Sequence, residues 1–154
     1  MYGPVLRTDQ SFTVSAWANP EDLGDGAHSI VSQDGPTRTP FALSYRPRVV
    51  NGVQGDYWTF SMLPPSGDGA DSVQSKAPLS YDDASRWTHL VAVYDATRKE
   101  VRLYVNGELQ NRTHNWMPVW QASGPLTIGA ALFNGVRTDR WYGGIDDVHV
   151  YQAR

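Results

Sequence analysis

Short segments in which apolar and polar residues alternate run along the whole chain, and Gly, Pro, Asn and Asp separate them at short intervals. Residues 12–18 alternate in this way, and residues 87–94 carry apolar side chains on both faces, as in a strand central to a sandwich. No long stretch repeats its apolar positions with the 3.6-residue period of a helix. The pattern predicts an all-β fold, a sandwich or jelly roll.

The middle of the chain carries the clearest turn signals. Residues 101–105 follow a polar connection and are predicted to form a hairpin with residues 87–94. Asn106 and Gly107 both tolerate a positive φ, so they predict a tight turn into a third strand at 108–111. Weaker patterns predict further strands at 29–32, 41–45, 57–63, 72–76 and 126–129, and a final strand at 144–151.

Composition and charge narrow the classes of function. The chain has 154 residues, which suits one domain, 1–154, and its net charge is −3 with no basic run. Nucleic-acid binding is therefore disfavoured, since it needs a clustered cationic face. No apolar stretch approaches the ~18 residues of a membrane span. The absence of cysteine excludes disulfides, cysteine zinc sites and thiol catalysis.

Carboxylates suited to glycoside hydrolysis do not occur at the spacing expected on one strand. A hydrolase on such a fold needs two carboxylates roughly 5–9.5 Å apart, which one strand supplies at positions i and i+2. No Asp or Glu pair in the sequence has that spacing, although cross-strand pairs remain open. No two His residues have a spacing typical of a shared metal, and Gly-x-Ser-x-Gly does not occur. We predict that the domain is not an enzyme.

Aromatic residues cluster in the segment 114–120, which lies between predicted strands. Exposed rings can stack on the apolar face of a sugar, so Trp116 and Trp120 are candidate ligand contacts, with Asn115 beside them and Trp141 further along. The alternative is that these rings cap the core. Trp17 and Trp58 lie within strand patterns and are interpreted as packing residues.

The final strand carries two adjacent carboxylates, Asp146 and Asp147. Neighbouring residues of a strand face opposite sides. Asp146 shares its face with Val148 and Val150, whereas Asp147 shares its face with His149, so Asp146 is predicted to point inward. A buried carboxylate needs partners. We expect it to tie the strand to a loop, with ligation of Ca²⁺ by Asp146 as the alternative.

Several of these segments together resemble the LamG-like jelly-roll family, a branch of the concanavalin A-like lectin/glucanase superfamily, from about residue 5 to 151. The resemblance implies a jelly-roll sandwich of two curved antiparallel sheets, and a non-catalytic module of larger secreted proteins that binds glycans or proteins or acts as a spacer. Many relatives hold a structural calcium. The catalytic Glu-x-Asp-x-x-Glu strand of the glucanases has no counterpart here. The segments that carry the resemblance are SFTVSAW (11–17), RWTHLVAVYD (86–95), LYVNG (103–107), LTIG (126–129) and GIDDVHVY (144–151).

Relatives usually have one more strand before the segment that contains Val5, so we expect this domain to be excised from a larger protein. The missing strand predicts an open sheet edge where another chain can pair, unless residues 1–6 cover it. Taken together, the sequence predicts a secreted, non-catalytic module that binds carbohydrate. The alternative is a structural or protein-interaction module without a sugar site.

Overall fold

The computed structural model describes residues 4–152, which form two five-stranded antiparallel sheets and one small hairpin. One 3-10 turn (Tyr81–Asp83) joins β5 to β6. No helix among the described residues is long and apolar enough to cross a membrane. The strands are β1 (Phe12–Pro20), β2 (His28–Gln33), β3 (Phe41–Val50), β4 (Val53–Met62), β5 (Asp71–Gln74), β6 (Thr88–Asp95), β7 (Glu100–Val105), β8 (Glu108–His114), β9 (Leu126–Ile128), β10 (Ala131–Phe133), β11 (Val136–Thr138) and β12 (Gly143–Gln152).

The order of strands is that of a jelly-roll sandwich, which confirms the predicted fold class. The first sheet, called sheet I, has the order β12-β1-β6-β7-β8. The second, sheet II, has the order β5-β4-β3-β2-β9, and β10 pairs with β11. The first and last long strands of the described chain therefore lie side by side in sheet I.

Three Asn-Gly pairs form hairpin turns with both residues at positive φ. Asn106-Gly107 joins β7 to β8 as predicted, with φ of 49° and 83°. Asn51-Gly52 joins β3 to β4 and Asn134-Gly135 joins β10 to β11 in the same conformation. β3 and β4 each extend toward their turn beyond the predicted strands, because Arg46, Pro47 and Arg48 interrupt the apolar alternation without interrupting the pairing.

The core lies between the sheets and follows the period-two alternation. Phe12, Val14 and Ala16 of β1 are buried. The Phe12 ring lies 4.9 Å from the Phe41 ring and 5.9 Å from the Tyr94 ring, measured between centroids. Rings of both sheets therefore meet at this point, as expected for two sheets that bury their inner faces.

The prediction that Asp146 points inward is wrong. The pairing of β1 with β12 changes register between Ser15 and Trp17, and Asp147 adopts a φ of 53° there. This is the geometry of a β-bulge, which places one extra residue on the bulged strand. Ile145 and Val148 consequently both pack against the core, and Asp146 and Asp147 are both exposed.

Within residues 4–152, β12 is an edge strand that pairs only with β1. Leu6 does not cover this edge, because it is buried in the core and its backbone N–H donates to Gln33 Oε1 (3.1 Å). Residues 1–3, which the sequence prediction also invoked, lie outside the described residues. Self-association through the edge stays a prediction.

Candidate functional site

The loop after β8 presents Trp116 to solvent and buries Asn115. The Trp116 side chain is 77% exposed, and its ring lies 4.2 Å from the His114 ring. Asp71 Oδ2 holds the loop by accepting hydrogen bonds from Asn115 Nδ2 (2.8 Å), Trp116 N (2.7 Å) and Met117 N (2.8 Å). The Asn115 side chain is therefore used to hold the loop, whereas the Trp116 ring is open to solvent and could contact a ligand.

Trp120 and Trp141 take part in packing. Trp120 Nε1 donates to the carbonyl of Leu63 (2.8 Å), and its ring lies so close to Gly35 that a Cβ at that position would collide with it. Trp141 stacks on Trp58 at 6.3 Å between ring centroids and is only partly buried. The structure therefore does not gather the four residues of the predicted site. Their contact with a ligand stays a prediction, and Trp116 is the member with an open ring.

Two other tryptophans form an exposed platform on the outer face of sheet I. Trp17 is 39% exposed and Trp87 is 45% exposed. Together with Asp146 and Asp147 they line a shallow depression of about 430 Å³, which we call the Trp17/Trp87 platform. The sequence interpretation of Trp17 as a packing residue overlooked this platform. The alternation along β1 already indicates it, because Phe12, Val14 and Ala16 face the core and Trp17 must therefore face outward.

The register of three strands assembles the platform. Trp17 on β1 is paired with His89 on β6, and their ring centroids lie 4.9 Å apart. On its other side Trp17 is paired with Asp146 on β12. Gly144 allows the Trp87 ring to lie close to the backbone, because a Cβ there would be 2.7 Å from the ring.

The bulge supplies the polar rim of the platform. Asp146 Oδ1 accepts a hydrogen bond from Asp147 N (2.8 Å), and Asp147 Oδ1 lies 2.7 Å from His149 Nε2. Each carboxylate has a second oxygen with no hydrogen bond among the described residues. Exposed carboxylate oxygens accept hydrogen bonds from hydroxyl groups. The platform thus combines flat apolar rings with acceptors for a polar ligand.

The oxygen donors at Asp146 do not make a calcium site on their own. Calcium takes six to eight oxygen ligands. Asp146 has one carboxylate neighbour, Asp147, and that carboxylate already contacts His149. Within residues 4–152, no group of three or more His, Asp or Glu side chains could hold a metal ion. Calcium ligation by Asp146 stays a prediction that this donor set does not support.

The two-sheet sandwich defines the class of this domain as a jelly roll. Residues 3–154 match the Laminin_G_3 family model, described as concanavalin A-like lectin/glucanases superfamily. The chain belongs to this family, which confirms the resemblance drawn from the strands. A search of curated proteins found no match.

Solved structures share the fold at low sequence identity. The heptameric SAP-like pentraxin of Limulus polyphemus is 16% identical with a TM-score of 0.70, over 97% of this chain and 66% of that one. The CBM40 of the Ruminococcus gnavus IT-sialidase, bound to α2,6-sialyllactose, is 15% identical with a TM-score of 0.67, over 95% and 77%. Domain 4 of a Geobacillus stearothermophilus arabinanase, in complex with arabinotriose, is 19% identical with a TM-score of 0.59, over 96% and 63%.

Proposed function

We propose that this domain is a non-catalytic, extracellular carbohydrate-binding module, and that the Trp17/Trp87 platform binds the glycan. The observation that carries the proposal is the pair of exposed indole rings beside two exposed carboxylates. Exposed aromatic surface gathered on one face of a sheet is typical of a site that contacts a ligand or a partner. Two of the structural neighbours are complexes with oligosaccharides, which supports the same class of ligand.

The charge of the platform selects a neutral glycan. Asp146 and Asp147 place two carboxylates at its rim, and the His149 ring contacts Asp147. A carboxylated sugar on the platform would meet like charges, which costs binding free energy. Neutral hydroxyl groups instead find acceptors in the free carboxylate oxygens. The expected ligand is therefore a neutral oligosaccharide that covers both rings.

The alternative ligand is a neighbouring protein domain that covers the two rings. A protein interface needs roughly 800 Å² from each partner. A depression of about 430 Å³ lined by four side chains is small beside such an interface, whereas it can take a few sugar units. Binding to glycans in isolation separates the two cases, because a domain contact requires no sugar.

A glycan array with the isolated domain, followed by titration of the strongest neutral glycan, tests the proposal. Trp17→Ala and Trp87→Ala should each weaken binding about tenfold to a hundredfold, because stacking on one ring contributes roughly 1–3 kcal/mol. Calorimetry or fluorescence titration measures the loss. A modest drop in melting temperature is expected for each variant, because both rings lie outside the core but still pack against His89 or Gly144, so the folded fraction is checked before each titration.

Trp116→Ala is the matched control, because it removes an indole ring that is more exposed than either platform ring and lies on a different surface. We expect this variant to keep the melting temperature and to keep the affinity for the neutral glycan. If Trp116→Ala abolishes binding while the platform variants bind normally, the ligand lies on the aromatic segment 114–120 after β8, as the sequence alone predicted, and the platform assignment is wrong. An array without any bound glycan favours the protein-interaction alternative.

A further inference from the structure

A second depression lies on the outer face of sheet I, at the opposite end of β1 from the Trp17/Trp87 platform. It has a volume of about 400 Å³, and Thr13, Val93 and Tyr151 are among its lining residues. Thr13 is paired with Val93 of β6 and with Tyr151 of β12, so this depression crosses the strands that also assemble the platform. The Tyr151 side chain is 54% exposed and gives the depression an open aromatic surface, and we call it the Tyr151 depression.

The outward residues of β1 connect the two depressions. Thr13, Ser15 and Trp17 alternate with the core residues of β1 and therefore share the outer face. Ser15 lies between the two depressions, paired with Val91 and His149, and its short side chain raises no barrier on β1. A strand rises about 3.3 Å per residue, so Trp17 and Thr13 are separated by about 13 Å along β1.

The outward residues of β12 border both depressions. Asp147, at the rim of the platform, has its Oδ1 atom 2.7 Å from His149 Nε2. The His149 ring in turn lies nearly parallel to the Tyr151 ring, with an angle of 14° between the planes and 6.1 Å between the centroids. The platform and the Tyr151 depression therefore have a continuous aromatic and polar border along one side.

The free polar groups of the Tyr151 depression are hydroxyl groups. Those of Thr13, Thr97 and Tyr151 have no hydrogen-bond partner among residues 4–152, and all three side chains are at least partly exposed. A hydroxyl group both donates and accepts hydrogen bonds. These three groups therefore suit a ligand that itself carries many hydroxyl groups.

The charged side chains of the depression already neutralise one another. Arg102 Nη1 donates to Glu100 Oε1 (2.9 Å) and lies 3.4 Å from Asp95 Oδ2. Asp95 Oδ1 accepts hydrogen bonds from the backbone N–H groups of Thr97 and Arg98, both at 3.1 Å. The Arg98 N–H contributes most to lowering the pKa of Asp95, and the hydrogen bond to Glu100 contributes most to raising the pKa of Arg102. The depression therefore favours a neutral ligand, as the platform does.

We propose that the Tyr151 depression is a second subsite for the glycan of the platform, and that this glycan is a linear neutral oligosaccharide that follows β1. The inference rests on the proposed function, because it extends the ligand of the platform. One end of the oligosaccharide stacks on Trp17 and Trp87, and the other end contacts Tyr151. A monosaccharide contacts one depression only, whereas a longer chain contacts both, and its second contact is intramolecular.

The dependence of affinity on chain length tests the proposal. The wild-type domain is titrated by calorimetry with cello-, xylo- and arabino-oligosaccharides of one to six units, and a ¹H–¹⁵N spectrum follows each titration. In a series that shifts the Trp17 and Trp87 indole signals, we expect the affinity to rise by about tenfold or more from the disaccharide to the hexasaccharide. The backbone signals of Thr13 and Tyr151 should shift with the hexasaccharide and stay in place with the monosaccharide.

Variants locate the second subsite. Tyr151→Ala should weaken hexasaccharide binding about tenfold through loss of the ring contact, and it should leave monosaccharide binding unchanged. Thr13→Ile removes a hydroxyl group and adds volume to the floor while keeping a β-branched residue, so it should weaken only the longer chains. Tyr142→Ala is the control, because Tyr142 is 61% exposed but lines a different depression beside His28.

The outcomes separate this inference from the platform proposal. If the Trp17 and Trp87 signals shift but the affinity is the same from the monosaccharide to the hexasaccharide, the platform binds glycan and the second subsite is overturned. Hexasaccharide binding that neither Tyr151→Ala nor Thr13→Ile weakens also overturns it. If none of the three series shifts the Trp17 and Trp87 signals, the platform proposal fails for these glycans and the second subsite fails with it.

Discussion

Asp71→Ala should lower the free energy of unfolding by about 3–4 kcal/mol. The carboxylate is buried, and one of its oxygens accepts three N–H donors of the loop after β8. A hydrogen bond to a charged group contributes about 1.5–3 kcal/mol, and each stranded buried donor adds a cost. Water reaches part of the loop in the variant, so the three contributions do not add fully. Chemical denaturation measures the loss.

Asp68→Ala is the matched control, because Asp68 is an exposed carboxylate three residues earlier in the chain. It should change stability by less than about 0.5 kcal/mol. Asp71→Asn keeps one acceptor oxygen, so its loss of unfolding free energy should lie between those of Asp68→Ala and Asp71→Ala. If Asp71→Ala is as stable as Asp68→Ala, the loop does not depend on this carboxylate, and the exposure of Trp116 must have another cause.

Gly143→Ala should also be strongly destabilising, with a loss of about 2–6 kcal/mol. Gly143 has a φ of 126°, which L-residues rarely adopt, and this strain contributes about 1–3 kcal/mol. In addition, a Cβ would collide with the carbonyl of Asn19 and lie 2.7 Å from Glu21 N, both backbone atoms of the neighbouring β1 and its turn. Overpacking against backbone that cannot move adds about 1–3 kcal/mol.

Gly135→Ala separates strain from collision. Gly135 has a φ of 72°, and a Cβ there would meet nothing within 4 Å. Only the backbone strain of about 1–2 kcal/mol is then expected. A Gly143→Ala loss no larger than that of Gly135→Ala would mean that β12 can move away from β1. The platform would then be less rigid than the pairing of Trp17 with Asp146 indicates.

Much of the fold was predictable because its elements depend on local patterns. The alternation at residues 12–18 and 87–94 specifies which side chains enter the core, and Asn106-Gly107 specifies a turn whatever surrounds it. Asn51-Gly52 is the same kind of turn pair, and using it would have predicted that β3 and β4 continue up to this turn. The hairpin of β10 and β11 was missed since three-residue strands carry almost no alternation.

The site was not predictable to the same degree, because it depends on strands that are distant in sequence. The bulge at Asp147 changes the face of one carboxylate, and no residue type in that segment marks it. Trp17 was identifiable as outward-facing from its parity, but its neighbours His89 and Asp146 follow from pairing of β1 with two other strands. The aromatic residues around Trp116 are close in sequence, but they do not form one surface: the Trp116 ring is exposed, whereas the Trp120 ring packs against Gly35.

The most direct test of glycan binding at the Trp17/Trp87 platform is a ¹H–¹⁵N titration with the strongest neutral glycan from the array, observed through the indole Nε1–H signals. The account predicts that the Trp17 and Trp87 signals shift with the affinity measured by calorimetry. The signals of Trp58 and Trp120, which are packed in the protein, should stay in place. Shifts confined to Trp116, or binding that leaves both platform signals unmoved, would contradict it.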